Sequence, residues 1–181
     1  MTDVLTPDQR RLNMRRIKGK DTKPEMLLRS SLHAAGFRFR LHVKQLPGCP
    51  DLVFPRYHAV VQIHGCFWHG HNCPLFRLPA TRTEFWKTKI SGNQDRDQLA
   101  ANALQTAGWR ILTVWECSLR GPSRLTIDEV LKRCTSFIKG NSATENIVGA
   151  HGHTDNSSSE SATKTQLSQP LTKPGQDIKP I

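Results

Sequence analysis

An α/β fold built around a mixed β-sheet is predicted by three features of the sequence. Local patterns follow the order helix, three strands, helix, strand, helix. Two short apolar runs, residues 59–61 and 111–114, have the continuous hydrophobic character of buried central strands. The chain has 181 residues, enough for one domain with a substantial core. Together these features favour an α/β sandwich in which helices pack against the sheet.

Capping signals mark the starts of two N-terminal helices. Thr6 is followed three residues later by Gln9, which predicts a helix over residues 7–18. Thr22 and Glu25 repeat the pattern, and the helix that they open is expected to end before Gly36. The predicted buried side of this second helix comprises Met26, Leu27, Leu28 and Leu32.

A third capping signal lies further along the chain. Thr126 and Glu129 predict a helix that ends at Gly140. Its inward-facing residues are expected to be Val130, Leu131, Cys134, Phe137 and Ile138. Residues 83–108 also have helical character, with an interruption expected near Ser91 and Gly92.

Four segments have strand character. Residues 37–43 alternate apolar side chains with Arg and His, as a half-buried strand does. The other three segments are residues 51–54, 58–64 and 110–115, and the last two contain the apolar runs.

The charge of the chain points to a polyanionic partner. Lys and Arg number 26 against 15 Asp and Glu, a net charge of +11. Such an excess favours nucleic acid through phosphate neutralisation and counterion release, although a basic protein without such a partner is the alternative. No apolar run approaches the ~20 residues of a membrane span, and the N-terminus lacks an apolar signal region. We therefore expect a cytosolic protein whose five cysteines are reduced and available for metal.

Composition divides the chain into three parts. Residues 1–20 form a basic N-terminal helical arm, residues 21–140 the main domain, and residues 141–181 a tail. The tail contains no Phe, Trp or Tyr, so we expect it to be disordered. The first 140 residues carry 23 basic and 11 acidic side chains, so the positive charge belongs to the domain. Truncation after Gly140 is accordingly expected to leave folding intact.

A metal site is predicted on a loop rich in Cys and His. Cys66, His71 and Cys73 lie within eight residues, and Cys117 follows the strand over residues 110–115. Three thiolates and one imidazole complete a tetrahedron and leave no open position, so the metal would be a structural zinc. The alternative is a set of buried free thiols with an incidental His.

A second site is predicted around Asp51, which opens a buried strand. A carboxylate there suits Mg²⁺, which prefers oxygen ligands. The Pro-Asp pair resembles the start of a PD-(D/E)xK nuclease motif, but Gln62 and His64 replace the later acid and lysine, and a simple turn is the alternative. His64 and His69 have ambiguous roles; if His71 binds zinc, His69 is free for proton transfer. Glu25 is first explained as a member of its capping box.

Several apolar side chains occur in basic or polar surroundings. Phe67 and Trp68 lie inside the metal loop, and Trp86 is followed by Lys87 and Lys89. Such wedges can enter a base stack, and core packing is the alternative. Core packing is favoured for Phe85, whereas for Trp86 the two explanations are evenly balanced. Met14 and Ile17 form the apolar pair of the basic segment, and they are either a docking face or a second wedge.

Several longer runs of sequence are distinctive together, namely residues 13–15, 21–22, 46–48, 50–51, 64–69, 73, 75–76, 79–86, 108–110, 114–117 and 119–121. Through these runs the chain resembles the very-short-patch repair (Vsr) mismatch endonucleases over roughly residues 8–140.

The resemblance implies a restriction-endonuclease-like (PD-(D/E)xK-type) three-layer sandwich with a structural zinc. It also implies Mg²⁺-dependent nicking 5′ to the T of a T:G mismatch, the product of 5-methylcytosine deamination. Asp51 and the main-chain carbonyl of Ile63 would bind Mg²⁺, and a backbone ligand tolerates Ile63 in place of the family's hydroxyl residue. His64, His69 and Glu25 would support the metals, the phosphate and the attacking water.

The resemblance assigns the remaining site residues as well. It gives the zinc ligands as Cys66, His71, Cys73 and Cys117. The side chains that would enter the DNA are Phe67, Trp68 and Trp86 from the major groove and Met14 and Ile17 from the minor groove.

We therefore expect a monomeric, bacterial, cytoplasmic and nucleoid-associated repair nuclease, with mismatch-repair proteins as candidate partners. A restriction-type or junction nuclease of the same fold is one alternative. A non-catalytic zinc DNA-binding protein is another.

Overall fold

The computed structural model describes residues 6–16 and 19–150. In chain order the elements are α1 (Pro7–Arg16), α2 (Lys23–Ala34), β1 (Arg40–Leu41), β2 (Leu52–Phe54), a 3₁₀ turn (Pro55–Tyr57), β3 (Ala59–His64), α3 (Thr83–Thr106), β4 (Arg110–Trp115), α4 (Glu116–Leu119), α5 (Ile127–Lys139) and β5 (Thr144–Ile147). None of the helices in these described residues has both the length and the apolar character needed to cross a membrane.

The five strands form one mixed sheet in the order β1-β2-β3-β4-β5. β1, β2 and β3 are antiparallel neighbours, whereas β3, β4 and β5 run parallel. The helix α3 makes the long crossover that parallel neighbours such as β3 and β4 require. Because His64 pairs with Trp115, the carboxyl ends of β3 and β4 meet at the same edge of the sheet. The predicted mixed α/β sheet is confirmed.

Helices cover both faces of the sheet. Successive strand residues point to opposite faces, so Val61 and Val60 enter different apolar clusters. The larger cluster joins the sheet to α2 and α5, through buried side chains that include Leu28, Leu32, Val130, Phe137 and Ile138. The smaller cluster joins the other face to α3 through Leu104.

The predicted helix starts are confirmed. Gln9 N–H donates to Thr6 Oγ1 over 3.3 Å, and Glu129 N–H donates to Thr126 Oγ1 over 3.2 Å. Thr22 and Glu25 form a full reciprocal capping box. Each capping side chain satisfies a backbone N–H that lacks a partner within the helix.

Three details of the predicted elements are wrong. Only Arg40–Leu41 of residues 37–43 forms a strand, because His42 adopts a left-handed backbone with φ +46° that ends the pairing. The predicted break in α3 is absent, since one glycine costs a helix about 1 kcal/mol and does not end it. Met26 and Leu27 are 45% and 43% exposed, because only the positions of Leu28 and Leu32 face the sheet.

The boundary of the predicted tail is also wrong. Residues 144–147 form β5, which pairs in parallel with β4 from Ile111 to Val114. Ile147 is fully buried in the larger cluster, and Gly149 N–H donates to Cys117 Sγ over 3.4 Å. A short edge strand needs one inward aliphatic residue and a backbone ladder, so the absence of aromatics did not exclude it. Residues 151–181 lie outside the described residues.

Two truncations test the corrected boundary. Ending the chain after Gly140 removes β5 and the buried Ile147, whose side chain alone is worth roughly 2–5 kcal/mol. We expect that truncation to lower the melting temperature strongly, whereas ending the chain after Ala150 leaves the whole sheet in place. Equal melting temperatures for the two truncated proteins would contradict a structural role for β5.

Candidate active site and metal-binding cluster

Asp51 lies immediately before β2, with its carboxylate against the end of β3. Its Oδ2 accepts a hydrogen bond of 2.7 Å from the Ile63 N–H. Burial raises the pKa of Asp51 to about 6, and the Glu25 carboxylate adds to the rise. The Ile63 hydrogen bond, His42 and His69 oppose this rise without cancelling it. The protein alone therefore leaves this buried negative charge under-compensated, as is typical of a cation ligand.

Two histidines stack beside this carboxylate. His64 ends β3, His69 follows in the next loop, and their ring centroids lie 4.0 Å apart with planes 4° from parallel. His69 Nδ1 makes a close contact with Asp97 Oδ2 on α3. Burial and, to a lesser extent, His69 lower the pKa of His64 to about 4, and Asp97 partly opposes this shift. His64 is therefore neutral at pH 7, whereas His69 is oriented by a carboxylate.

One cleft of about 410 Å³ brings most of the predicted catalytic residues together. Asp51, Ile63, His64 and His69 all line it. Its wall also includes two cationic side chains and one further carboxylate, those of Lys20, Arg96 and Asp97. The arrangement places a carboxylate, a main-chain segment and an oriented imidazole around a space bordered by positive charge.

Glu25 occupies two roles at once. Its Oε2 accepts a hydrogen bond of 3.4 Å from the Thr22 N–H, and its own N–H donates to Thr22 Oγ1 over 3.4 Å, which confirms that it belongs to the capping box. The side chain is nevertheless buried, and its Oε1 lies 3.1 Å from both Arg29 NH1 and His42 Nε2. Glu25 does not line the cleft. His42, which does line it, lies between Glu25 and Asp51.

The predicted Cys and His ligands converge on one point. One ligand atom from each of Cys66, His71, Cys73 and Cys117 lies within 4.8 Å of the others. Both Cys66 Sγ and Cys117 Sγ lie 3.6 Å from His71 Nδ1. The thiols are free, and burial raises the pKa of Cys66 and Cys117. This group of four could hold a metal ion, which would favour the thiolates that burial disfavours.

Backbone hydrogen bonds shape the same cluster. His71 N–H donates to the Cys66 carbonyl over 3.0 Å, which folds the loop back on itself. Cys117 N–H donates to Cys66 Sγ over 3.3 Å, and the Cys66 N–H donates to Glu116 Oε2 over 3.1 Å. The cluster therefore ties the loop after β3 to the residues that follow β4.

The predicted wedge residues form one aromatic group. Phe67 contacts Trp68 and Trp86 with ring centroids 5.1 and 5.2 Å away, and the two indoles are 6.1 Å apart. All three side chains are half-buried, so Trp68 packs against its neighbours and still reaches the surface. Phe85 is 47% exposed, which corrects the expectation that it packs in the core.

Comparisons with known proteins agree with this geometry. The model of the family described as DNA mismatch endonuclease Vsr matches residues 2–75. The DNA mismatch endonuclease Vsr of Escherichia coli K12 is 46% identical over 147 residues, covering 81% of this chain and 94% of that protein. This chain belongs to the Vsr family.

Other relatives are nicking enzymes. Type II nicking enzyme V.XorIIP of Xanthomonas oryzae pv. oryzae is 50% identical over 119 residues, 66% of this chain and 88% of the relative. Type II nicking enzyme V.NmeAIP of Neisseria meningitidis is 43% identical over 139 residues, 77% of this chain and 98% of the relative. The Vsr-family chain is accordingly a DNA mismatch endonuclease.

The basic arm of this Vsr-family chain is described only in part. Its helix α1 spans Pro7–Arg16, but the Met14 side chain and all of Ile17 lie outside the described residues. The roles of Met14 and Ile17 in the minor groove stay predictions. Lys20, at the end of the arm, lines the cleft.

Three residues of the Vsr-family site have no clear signal in the sequence. Asp97 lies 28 residues beyond His69 and comes beside it only because α3 runs unbroken across the sheet. His42 looked like one polar position in an alternating strand. Trp115 looked like a strand end, yet it stacks on His71 with ring centroids 4.1 Å apart. Each depends on long-range packing, which local periodicity does not report.

Proposed function

We propose that this Vsr-family endonuclease nicks one strand of a T:G-mismatched duplex, 5′ to the T, with Mg²⁺ as cofactor. One observation carries the proposal: a single cleft gathers Asp51, His64 and His69 and is bordered by Lys20 and Arg96. We also assign the chain to the restriction-endonuclease-like, PD-(D/E)xK-type fold. The mixed sheet with helices on both faces supports that assignment.

Asp51 and the main-chain carbonyl of Ile63 are the residues that would hold Mg²⁺. The fit follows from the buried Asp51 carboxylate, whose raised pKa reports a negative charge short of compensation. When bound, Mg²⁺ neutralises charge on the scissile phosphate and promotes ionisation of water. Gln62 cannot supply a charged ligand, so the site depends on Asp51 more than a site with two acids would.

His69 is the proposed proton-transfer group. Asp97 beside its Nδ1 favours the tautomer with the proton on that nitrogen, which leaves Nε2 as the acceptor. A positioned imidazole can take a proton from attacking water or return one to the leaving oxygen. His64, neutral and stacked on His69, restricts the ring and can bind a phosphate oxygen. Glu25 lies outside the cleft and supports this centre through its contact with His42.

Zinc is the metal that best fits the Cys and His cluster. Bonds of about 2.3 Å to sulfur and 2.0–2.1 Å to nitrogen give a tetrahedron with sulfur–nitrogen edges of about 3.6 Å. Cys66 Sγ and Cys117 Sγ both lie 3.6 Å from His71 Nδ1. With Cys73 as the fourth ligand, no position is open to water, so the role is structural.

The aromatic group of Phe67, Trp68 and Trp86 is the proposed wedge. Apolar side chains that enter a base stack must overcome its unstacking energy, which is lower at a mismatch than at a matched pair. The same group therefore contributes selectivity for T:G as well as binding. Basic residues of the arm and the cleft would supply contacts to phosphate that do not depend on sequence.

Removing the half-buried Trp68 indole tests the wedge. We expect Trp68→Ala to weaken binding of T:G DNA about tenfold, because stacking is worth roughly 1–3 kcal/mol per base. Binding to matched duplex should change much less. Trp109→Ala is the matched control. Trp109 packs against the smaller cluster and stacks on His58, at the other end of β4 from the wedge. That variant should lose stability while its ratio of T:G to C:G binding stays unchanged.

A core role for Trp68 predicts the opposite result. If Trp68 is a core residue, its variant loses several kcal/mol of stability and keeps the mismatch preference. Melting temperature and the two binding constants, measured on both tryptophan variants, separate these outcomes.

A panel of substrates tests the proposed activity. T:G duplex, C:G duplex and a four-way junction are incubated with the full chain in Mg²⁺ or in EDTA. We expect Mg²⁺-dependent cutting of the T:G duplex alone. Cleavage of C:G DNA or of the junction would instead identify a restriction-type or junction nuclease, and binding without cleavage a zinc DNA-binding protein.

We also propose that the enzyme acts as a monomer on the bacterial nucleoid. The cleft and the Cys and His cluster are each assembled from residues of one chain. Chromosomal DNA in the cytoplasm is the matching substrate, and E. coli supplies one of the relatives. Association with mismatch-repair proteins stays a prediction.

A further inference from the structure

His42 lies between the buried Glu25 carboxylate and the partly buried Asp51 carboxylate. Its Nε2 is 3.1 Å from Glu25 Oε1, and its Nδ1 is 3.8 Å from Asp51 Oδ1. The backbone N–H of His42 also donates to the Asp51 carbonyl over 3.3 Å. One residue therefore contacts the side chain of Glu25 and both the side chain and the backbone of Asp51.

The Asp51 carboxylate is held differently on its two oxygens. Oδ2 accepts the 2.7 Å hydrogen bond from the Ile63 N–H, whereas Oδ1 lies 3.8 Å from His42 Nδ1, which is too far for a hydrogen bond. His42 Nε2 is buried and has no aligned hydrogen-bond partner despite its short distance to Glu25. Hydrogen bonds in catalytic centres are often misaligned before the substrate binds and tighten in the complex.

An alternating series of charges runs behind His42. Arg29 NH1 lies 2.5 Å from Asp21 Oδ1 and 3.1 Å from Glu25 Oε1, and His42 follows on the other side of Glu25. The Glu25 side chain is only 3% exposed, and its capping box fixes it to the start of α2. The Glu25 carboxylate is therefore held in one position, and its contact with Nε2 can fix the position of the His42 ring.

A second metal site is the competing interpretation of the same residues. Ligand atoms of Asp21, Glu25 and His42 lie within 4.8 Å of one another. The Arg29 guanidinium, however, already contacts both carboxylates, and a cation would have to displace it. The positive charge that balances these two acids is therefore supplied by the protein.

The backbone conformation at residue 42 is one that few residue types adopt. Its φ of +46° lies in the left-handed region, which costs an ordinary residue stability and is tolerated best by Gly, Asn, Asp and His. Of those four residue types, only His has a side chain long enough to contact Glu25 and Asp51 together.

We propose that His42 is a positioning residue, which transmits the rigid placement of Glu25 to the Asp51 carboxylate and so sets its orientation for Mg²⁺. The inference rests on the proposed function, in which Asp51 binds the catalytic cation. His42 lines the same cleft as Asp51, and its proposed effect on the reaction is exerted through Asp51.

Two amide substitutions that differ by one methylene separate this role from a backbone role. The amide of His42→Asn ends near the place of Nδ1 and leaves Glu25 without contact, but asparagine suits the left-handed backbone. The amide of His42→Gln reaches the place of Nε2 and can donate to Glu25, but glutamine suits that backbone poorly. Each amide keeps only one of the two contacts, Asn the contact with Asp51 and Gln the contact with Glu25. A positioning role needs both contacts and therefore predicts that both variants lose activity, whereas a backbone role predicts that only His42→Gln does.

The experiment measures kcat and KM for T:G nicking, melting temperature, and Mg²⁺ binding to the DNA-free protein by calorimetry. We expect His42→Asn to lose roughly tenfold or more in kcat and in Mg²⁺ affinity, as removal of a ligand-orienting partner does. Its KM for DNA and its melting temperature should stay at the wild-type values. His42→Gln should lose kcat and Mg²⁺ affinity to a similar extent, because it lacks the contact with Asp51, and it should also have a lower melting temperature.

Wild-type protein in the same assay separates a failure of the proposed function from a failure of the positioning role. If wild type fails to nick T:G DNA, the proposed function is wrong. If wild type nicks and His42→Asn matches it in kcat and Mg²⁺ binding, the positioning role is overturned. It is likewise overturned if His42→Gln keeps the wild-type kcat and Mg²⁺ affinity, because that variant has no contact with Asp51.

Discussion

Asp51→Asn is expected to abolish nicking while leaving the binding of T:G DNA intact. The neutral amide retains an oxygen for the Ile63 N–H, so the local fold is preserved, but it is a poor ligand for Mg²⁺. Loss of metal-assisted charge stabilisation is worth several kcal/mol, which corresponds to roughly a thousandfold in rate. Single-turnover nicking and equilibrium binding on the same duplex measure the two effects separately.

The same substitution is expected to stabilise the protein in EDTA. The pKa of Asp51 rises from its ordinary value of 3.8 to about 6 on folding, so the folded state holds this proton more tightly. Stability is therefore lost as pH rises from about 4 to 6, and the loss persists at pH 8. About two pKa units correspond to up to about 3 kcal/mol, or roughly 5–10 °C in melting temperature. Asp51→Asn removes this penalty.

Asp95→Asn is the control for Asp51→Asn, because Asp95 is an exposed carboxylate on α3. It should change neither nicking nor stability. A nearly normal nicking rate for Asp51→Asn would remove Asp51 from the cation site. A melting temperature in EDTA that falls instead of rising would show that the carboxylate is well compensated in the folded chain.

Cys73→Ser is expected to cause the largest loss of stability. Structural zinc sites contribute about 10–16 kcal/mol in small domains, and loss of one of four ligands forfeits several of these. For a chain of this size each kcal/mol is worth about 2–4 °C, so the melting temperature should fall by roughly 10 °C or more. Zinc content, measured by elemental analysis, should fall from one per chain to well below one.

Cys49→Ser is the matched control, since the Cys49 thiol lies outside the cluster of four. It should retain both zinc and stability. Wild-type protein refolded without metal should behave like Cys73→Ser. Full stability after metal-free refolding would show that the four residues form a folded cluster without zinc.

Much of the fold could be predicted because its signals are local. The caps at Thr22 and Thr126 and the apolar runs in β3 and β4 reflect hydrogen bonds and burial within a few residues. β5 was missed because its single buried side chain, Ile147, carries no pattern of its own. Its pairing with β4 exists only after the rest of the sheet has formed.

The metal loop was predictable for a similar reason, since three of its predicted ligands lie within eight residues. Cys117 was indicated by its position directly after the strand over residues 110–115, which the structure pairs with β3. The partners of the proposed catalytic residues were not predictable in this way. Asp97 reaches His69, and Glu25 approaches Asp51 through His42, only by the packing of helices across the sheet.

The strand and position of the cut test the central claim most directly. A T:G duplex is labelled at the 5′ end of one strand or the other, incubated with the full chain and Mg²⁺, and resolved beside a sequence ladder. The account predicts one product, from the strand that carries the T, ending at the phosphodiester bond 5′ to that T. Cuts in both strands, or an equal cut in the C:G duplex, would contradict it.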